Sequence, residues 1–228
     1  MSRVLLVDDD AELVEMMKEY LRREGFDVET AHDGEEGLRL ALGGDFAIAV
    51  LDVMLPRLSG IEVLNRLRQK SRMPVLMLTA KGDDIDRIIG LEQGADDYVA
   101  KPCTAREITA RIRAILRRIS SAPEPAGEQP VIAGELCMWP DERRAEWRGQ
   151  ALELTSTEFN LLEVLARNVG RTISKQQLSD EGLGRPQQKF DRSIEVHLSK
   201  IREKLGPLDD GRSVIQTVFR QGYQLIRH

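Results

Sequence analysis

Residues 46–56 read Phe46-Ala47-Ile48-Ala49-Val50-Leu51-Asp52-Val53-Met54-Leu55-Pro56. The first six residues form an unbroken apolar run, which is typical of a strand buried on both faces. Asp52 ends this run, so the strand would present a carboxylate at its C-terminal end. Open α/β sheets bind ligands beside the C-terminal ends of their parallel strands. Asp52 is therefore the first candidate functional residue.

Polar side chains also end three other predicted strands, namely Asp8 with Asp9, Thr79, and Lys101. Parallel strands place these ends on one edge of the sheet. A carboxylate that attacks phosphorus needs its charge neutralised, and Mg²⁺ prefers a few carboxylates together with water. Asp8, Asp9 and Asp52 offer that ligand set, and Asp52 would form an aspartyl phosphate. Thr79 and Lys101 would contact phosphoryl oxygens.

Each of these residues alone is better explained as a solvated strand end. Five matched positions on four strands favour a phosphoacceptor site instead. We also expect the Lys101–Pro102 peptide bond to be cis.

Residues 1–119 alternate strand and helix patterns, which predicts a parallel sheet covered by helices on both faces. The predicted strands are Arg3–Val7, Asp27–Ala31, Phe46–Leu51, Pro74–Leu78 and Asp97–Val99. The predicted helices are Ala11–Glu24, Glu35–Leu42, Ile61–Gln69, Ile85–Gln93 and Ala105–Ile119. Residues 120–129 contain two prolines and a glycine without a large apolar side chain, so they predict a flexible linker.

Residues 130–228 follow a different plan of short strands, three helices and a terminal hairpin. Thr155 and Glu158 form a capping-box motif at the first helix, and Ser174 and Asp191 are positioned to cap the next two. The terminal strands are predicted at Val214–Val218 and Tyr223–Ile226. This order predicts a winged-helix domain.

The composition, with 41% hydrophobic and 31% charged residues among 228, is that of an ordinary soluble protein. No apolar run approaches the roughly 20 residues of a membrane span. The N-terminus lacks a signal-peptide pattern, and Cys103 and Cys137 are too few for a disulfide framework. We therefore expect a cytoplasmic protein. The net charge is −5, but residues 185–204 carry six basic and three acidic side chains, which permits local nucleic-acid binding.

Several segments carry a family resemblance. Residues 4–10, 51–56, 78–81 and 94–102 resemble the receiver domain of two-component response regulators. Residues 154–159 and 192–202 resemble the winged-helix output domain of the OmpR/PhoB subfamily, and within it Thr157–Phe159 and Phe190–Arg192 are similar to an envelope-stress regulator. The resemblance covers nearly the whole chain apart from the linker.

The resemblance implies a flavodoxin-like α/β receiver, with a five-stranded parallel sheet in the order 2-1-3-4-5, followed by a winged-helix DNA-binding domain. A sensor histidine kinase would phosphorylate Asp52. Mg²⁺ would be held by Asp9, Asp52 and the carbonyl of Met54, with Asp8 acting through water. Thr79 and Tyr98 would form the switch pair. The protein would be a phosphorylation-activated transcriptional regulator, with self-phosphorylation and slow autodephosphorylation as its only chemistry.

By the same resemblance, phosphorylation pairs two receivers, and the homodimer binds tandem half-sites of double-stranded DNA. The implied ion pairs join Arg87 to Glu107, Asp97 to Arg111 and Asp96 to Arg118. The implied apolar centre consists of Ile88, Leu91 and Ala110. A solvated charged helix surface is the alternative interpretation, since exposed ion pairs contribute little stability.

The predicted DNA contacts lie on the third helix of the output domain and on the terminal hairpin. They are Arg192, Val196, His197, Ser199, Lys200, Arg202, Arg220 and Tyr223. The resemblance favours Lys200 and Val196 for bases and Arg192, His197 and Arg202 for the DNA backbone. Residues 181–189 would approach RNA polymerase or DNA. An amphipathic helix facing only solvent is the common alternative.

Two departures from the family pattern stand out. Relatives usually read Arg-Gly-x-Gly-Tyr in the terminal hairpin, whereas this chain reads Phe219-Arg220-Gln221-Gly222-Tyr223. Either Arg220 takes over the minor-groove contact or the hairpin is rebuilt. Cys103 replaces the phenylalanine that usually follows Lys-Pro, which affects no catalytic residue.

Two rival functions come from other classes. An aspartate-nucleophile phosphatase usually has a second aspartate two residues after the nucleophile, and Met54 at that position argues against it. A signalling adaptor whose winged helix binds protein would lack the salt-dependent DNA affinity that phosphate contacts produce.

Overall fold

The computed structural model describes residues 1–80, 90–119, 129–187 and 191–227. The chain divides into two compact units, Met1–Leu116 and Arg117–His228. The predicted linker at 120–129 lies outside the described residues apart from Gln129. Within the described parts of both units, we find no helix with the length and apolar character of a membrane span.

The first unit is built on a parallel sheet with the strand order β2-β1-β3-β4-β5. Its strands are β1 Arg3–Val7, β2 Asp27–Ala31, β3 Ile48–Asp52, β4 Val75–Ala80 and β5 Asp97–Lys101. Every residue of β3 is buried, as an apolar run covered on both faces requires. The predicted flavodoxin-like fold and strand order are confirmed.

Four described helices belong to this unit. They are α1 Ala11–Arg23, α2 Gly34–Gly43, α3 Gly60–Arg68 and α4 Ala105–Ile119. Side chains cap the first three, because Asp10, Asp33 and Ser59 each accept a hydrogen bond from a first-turn amide. On α4 the predicted apolar face packs inward, with Ile108, Ile112 and Ile115 buried. The predicted helix Ile85–Gln93 lies outside the described residues except near its end.

The second unit begins with an antiparallel sheet and ends with a hairpin, with helices between them. The first sheet comprises β6 Val131–Ala133, β7 Leu136–Trp139, β8 Arg144–Trp147 and β9 Gln150–Ala151. Next come α5 Ser156–Arg167, β10 Thr172–Ile173, and the single turn α6 Lys175–Gln177, which continues into a π-helical segment at Leu178–Leu183. The unit ends with α7 Ser193–Leu205, β11 Ile215–Val218 and β12 Gly222–Leu225. The predicted winged-helix order is confirmed.

Local sequence signals set several of these boundaries. The Thr155 side chain and the Glu158 carboxylate satisfy each other's backbone amides, which is the predicted capping box. Lys204 of α7 also contacts the Glu158 carboxylate at 2.6 Å and so ties α7 to the start of α5. In the β8–β9 turn, Arg148 and Gly149 both have positive φ angles, which suits the twist of a two-residue hairpin turn.

The start of α7 depends on a buried ion pair rather than on the cap predicted from the sequence. Arg192, not Asp191, is the N-cap residue, and its side chain makes no capping bond. Asp191 lies one residue earlier, accepts hydrogen bonds from the Ser193 amide and hydroxyl, and pairs with the Arg185 guanidinium. Burial by itself would raise the pKa of Asp191, but the hydrogen bond and charge of Arg185 outweigh burial and lower this pKa to about 2.

We predict that Asp191→Asn lowers the free energy of unfolding of the second unit by about 3 kcal/mol, because it leaves the buried Arg185 guanidinium without its counter-charge. Both tryptophans of the chain, Trp139 and Trp147, lie in this unit. Denaturant unfolding followed by tryptophan fluorescence therefore reports this unit selectively. Asp210→Asn is the matched control, since Asp210 also contacts an arginine but is exposed; it should leave the stability nearly unchanged.

The same pair predicts acid lability with a defined direction. A pKa lowered from 3.8 to about 2 contributes roughly 2 kcal/mol of stability above pH 4, and this contribution disappears as the pH falls from about 4 to about 2. Asp191→Asn should remove this part of the pH dependence. An unaltered acid transition in the variant would contradict the assignment.

Candidate functional site

Three carboxylates meet at the C-terminal edge of the first unit's sheet. Asp8 follows β1 directly, Asp9 is the next residue, and Asp52 ends β3. One carboxylate oxygen from each lies within 4.8 Å of the others. Asp8 is fully buried, Asp52 is 5% exposed, and Asp9 is open to solvent. This set of oxygens suits a hard divalent cation that keeps several waters.

Lys101 joins two of these carboxylates. Its Nζ lies 2.7 Å from Asp8 Oδ2 and 3.0 Å from Asp52 Oδ2. The peptide bond that follows, Lys101–Pro102, is cis as predicted. Burial raises the pKa of Asp52, assisted by the charge of Asp8 and opposed by Lys101. Burial would lower the pKa of Lys101, but its hydrogen bonds to Asp8 and Asp52 reverse this and raise it.

Thr79 places a hydroxyl on the strand between these groups. It lies in β4, which pairs with β3 on one side and β5 on the other. Thr79 is 1% exposed, and its Oγ1 has no hydrogen-bond partner among the residues that the structure describes. A buried hydroxyl without a partner costs stability. Tyr98, the other residue of the predicted switch pair, is also buried.

The loop that follows β3 is held by close backbone packing. The amide of Met54 donates a hydrogen bond to the Asp52 carboxylate, which brings the predicted Met54 ligand position to the site. The Gly60 amide donates to the carbonyl of Val53, and a Cβ on Gly60 would lie 1.9 Å from the Asp52 carbonyl oxygen. Similarly, a Cβ on Gly34 would lie 1.8 Å from the Leu58 carbonyl oxygen. Our sequence reasoning missed both glycines, because nothing in the local pattern shows that two backbone segments touch.

Comparisons with known proteins match this architecture. The response regulator receiver domain family matches residues 4–113, and the family "Transcriptional regulatory protein, C terminal" matches residues 149–225. The chain is 45% identical over 230 residues to the transcriptional regulatory protein CpxR of Escherichia coli strain K12, with 99% of each chain covered. This chain belongs to the OmpR/PhoB subfamily of response regulators.

Two further matches also cover nearly the whole chain. The alkaline phosphatase synthesis transcriptional regulatory protein PhoP of Bacillus subtilis strain 168 is 40% identical over 232 residues, covering 98% of this chain and 96% of PhoP. The structure of response regulator DrrB, a Thermotoga maritima OmpR/PhoB homolog, aligns with a TM-score of 0.53 at 28% identity and 99% coverage of each chain. The protein is therefore a two-component transcriptional regulator with a receiver domain and a DNA-binding domain, and it does not belong to a catalytic enzyme family.

Several residues of the predicted receiver-pairing face turn out to be internal. Asp96 is buried, accepts a hydrogen bond from the Val75 amide at 3.0 Å and pairs with Arg68 at 3.2 Å. Its predicted pairing with Arg118 of another receiver stays a prediction, because the structure holds one receiver and does not describe the Arg118 side chain. The Asp97–Arg111 pair, at 2.8 Å, is formed within one receiver, and both side chains are nearly buried.

Part of the predicted apolar centre is also buried within a single receiver. Leu91 is 2% exposed and belongs to the receiver core. Glu107 and Ala110 are exposed on α4, as the pairing hypothesis requires. Arg87, Ile88 and the side chain of Arg118 lie outside the part of the chain that the structure describes.

Three of the predicted DNA-contact residues are buried in the output domain. Val196 and His197 are buried on α7, at 8% and 1% exposure, and Tyr223 is buried in the core at 5%. Three consecutive residues of α7, 196–198, are buried, so neighbouring elements cover the helix over more than one face. The predicted exposed surface is therefore narrower than the sequence indicates. Arg192 and Ser199 are exposed, and Lys200 is partly exposed.

Arg202, a predicted DNA-backbone contact, also has a structural role within the domain. Its Nε donates to the carbonyl of Ile215, and a terminal guanidinium nitrogen donates to Thr217 Oγ1, each at 2.9 Å. It therefore fastens α7 to β11. We name α7 the recognition helix and the β11–β12 hairpin the wing.

The wing is anchored through its strands and exposed at its turn. A Cβ on Gly222 would lie 2.0 Å from the Ile173 carbonyl oxygen, so this retained family glycine permits close packing on β10. Arg220 stands where the family usually has its other glycine, and its φ is +59°. The hairpin is thus preserved with arginine in a left-handed conformation, and Arg220 is exposed.

We predict that Thr79→Val leaves the receiver's free energy of unfolding unchanged or raises it by about 1 kcal/mol, because it removes a buried hydroxyl without a partner. Thr109→Val is the matched control. Thr109 is equally buried, but its hydroxyl donates to the Ala105 carbonyl at 2.8 Å, so its loss should cost about 1 kcal/mol. Urea unfolding followed by circular dichroism measures the free energy of unfolding of both variants. Tryptophan fluorescence identifies the transition of the output domain and so separates it from that of the receiver. Equal losses in the two variants would show that the Thr79 hydroxyl is satisfied.

Proposed function

We propose that Asp52 accepts a phosphoryl group from a sensor histidine kinase, and that this modification promotes receiver pairing and promoter binding. The observation that carries the proposal is the position of Lys101 Nζ, 3.0 Å from Asp52 and 2.7 Å from Asp8. An ammonium group there can neutralise charge that arrives on Asp52. The family membership supports the kinase and the DNA as partners.

Each group at the sheet edge has a distinct role in this proposal. A carboxylate oxygen of Asp52 attacks the phosphorus, a bond forms between them, and the donor's leaving group departs with the electron pair of the broken bond. Lys101 and the Thr79 hydroxyl then hold two of the phosphoryl oxygens. Asp8, Asp9, Asp52 and the Met54 carbonyl would hold Mg²⁺, which neutralises charge on the phosphoryl oxygens during transfer. Small phosphodonors would serve in the same way, and slow autodephosphorylation would reset the receiver.

Receiver pairing would follow from local rearrangement. The Thr79 hydroxyl gains a partner when Asp52 is phosphorylated, which favours movement of β4 and of Tyr98 on the adjacent β5. Glu107 and Ala110, exposed on α4, would lie in the interface. Pairing converts the binding of a second tandem half-site into an intramolecular event, so weak monomer binding becomes stable occupancy. Contact with RNA polymerase and a cytoplasmic location belong to the same proposal.

DNA contact would fall on the side chains that the fold leaves accessible. Arg192 and Ser199 are exposed on the recognition helix, and Lys200 pairs with Glu203, whose side chain is 71% exposed. An exposed pair of this kind contributes little stability and can exchange for DNA. We assign Arg192 to a phosphate, Lys200 to a base edge in the major groove, and Arg220 to the DNA next to the wing.

We expect wild-type protein incubated with Mg²⁺ and acetyl phosphate to gain the mass of one phosphoryl group and to shift toward dimer. Asp52→Ala should do neither, because it lacks the acceptor oxygen. Asp45→Ala removes the same charge from an exposed position of the receiver and should behave as wild type. Intact mass spectrometry combined with size-exclusion chromatography gives both results. An adduct retained in Asp52→Ala would rule out Asp52 as the acceptor.

We expect Arg192→Ala to weaken binding to all duplexes and to reduce the slope of log affinity against log salt by about 1. Lys200→Ala should cost about 1–3 kcal/mol on the preferred sequence and relax specificity at one base pair. Arg212→Ala is the charge-matched control, since Arg212 is exposed in the same domain but lies beyond the recognition helix. Fluorescence anisotropy over a salt series checks this, and affinity without salt dependence would favour the adaptor hypothesis.

A further inference from the structure

The tip of the wing carries an unusually exposed aromatic side chain. Phe219 is 79% exposed. Among the described residues, the other large hydrophobic side chains with high exposure are methionines, a leucine and an isoleucine, and none is aromatic. A phenyl ring held in solvent gives the folded domain no burial energy. Phe219 also occupies the position at which relatives usually have the wing arginine.

Arg220 lies beside this ring. Its guanidinium carbon is 5.1 Å from the centre of the Phe219 ring, within the range of a cation–π contact. The Gln221 amide donates to the Val218 carbonyl at 3.0 Å, which closes the turn around Phe219 and Arg220. The left-handed backbone of Arg220 is unfavourable for a residue with a Cβ. The wing tip thus presents an apolar aromatic ring and a guanidinium group side by side.

Contacts along the wing fasten it to the recognition helix and to β10. Arg202 bonds the helix to Ile215 and Thr217 of β11. Gly222, across the hairpin from Val218, packs directly against the Ile173 carbonyl. A sugar–phosphate strand and then the minor groove lie next to any major groove, so a wing tip fastened beside a helix in the major groove would reach these two features.

We propose that Phe219 is a minor-groove wedge, which partly unstacks one base step and bends the DNA while Arg220 contacts the strongly negative groove. The inference rests on the DNA-binding role proposed above. Apolar side chains that enter a minor groove act in this way, and the cost is lowest at pyrimidine–purine steps, which are flexible. An arginine without a wedge instead favours the narrow minor groove of a stiff A-tract. The wedge therefore specifies a TA or CA step where the wing meets the operator.

The test uses the full chain and a duplex recovered from a randomised library by selection with that chain. Three versions of the duplex carry TA, AA or GC at the step facing the wing and are otherwise identical. We expect wild type to bind the TA duplex most tightly and to bend it, as measured by energy transfer between dyes at its two ends. Phe219→Ala should lose about tenfold in affinity on the TA duplex, lose most of the bend, and keep the salt slope.

Two further variants complete the design. Phe219→Arg restores the usual family residue and should move the preference from TA toward AA. Ile132→Ala removes an exposed apolar side chain, 64% exposed on β6 of the same domain, and should behave as wild type. Because Phe219 is exposed, none of these changes should alter the unfolding transition.

The outcomes separate the wedge from the proposed function. Wild-type affinity and bending in Phe219→Ala would overturn the wedge while leaving DNA binding intact. Loss of self-association in Phe219→Ala without DNA, with unchanged step preference, would assign the ring to a protein partner and also overturn it. If wild type selected no duplex at all, the wedge and the proposed DNA contacts would fail together.

Discussion

The receiver depends on one lysine that reaches across a strand. Lys101 ends β5. Its partner Asp52 ends β3, its partner Asp8 directly follows β1, and β4 lies between β5 and β3. Strands in a sheet are spaced about 4.8 Å apart, so β5 and β3 lie roughly 10 Å apart, and the side chains of Lys101 and Asp52 must span that gap together. Without it, two buried carboxylates would face each other uncompensated. The four-carbon stem of lysine supplies much of this reach, and β4, which carries Thr79, lies between the two strands.

This geometry explains why the receiver site could be predicted from the sequence. Apolar runs identify buried strands, and parallel strands must place the residues that follow them on one edge, so Asp8, Asp52, Thr79 and Lys101 converge whatever the helices do. The exposed faces of the helices were harder to predict from the sequence. The burial of Val196, His197 and Leu91 depends on how many neighbours cover a helix, and a periodic pattern shows only one covered face. The pairing of Asp96 with Arg68 was not predicted for a related reason, because the two residues are distant in sequence.

The basic residues of 185–204 show how charge counting can mislead. Arg185 pairs with Asp191, Lys204 contacts Glu158, and Arg202 holds the wing. These side chains stabilise the output domain, and only part of the positive charge in this segment remains for a polyanion. The domain therefore combines a near-neutral composition with a small number of accessible cations, and its affinity for DNA should depend more on the pairing of two domains than on the charge of one.

The hydrogen bonds from Arg202 to β11 fasten the wing directly to the recognition helix. A duplex advances about 3.4 Å and turns about 35° with each base pair. Adding or removing a single base pair between the bases that the helix would contact and the step that the wing would contact displaces that step by this amount. A helix and a wing that are fastened to each other cannot both keep their contacts on the altered duplex. In the proposed binding mode, the spacing of contacted base pairs therefore defines an operator as much as their sequence does. Half-sites in a promoter should keep the same number of base pairs even where their sequences differ.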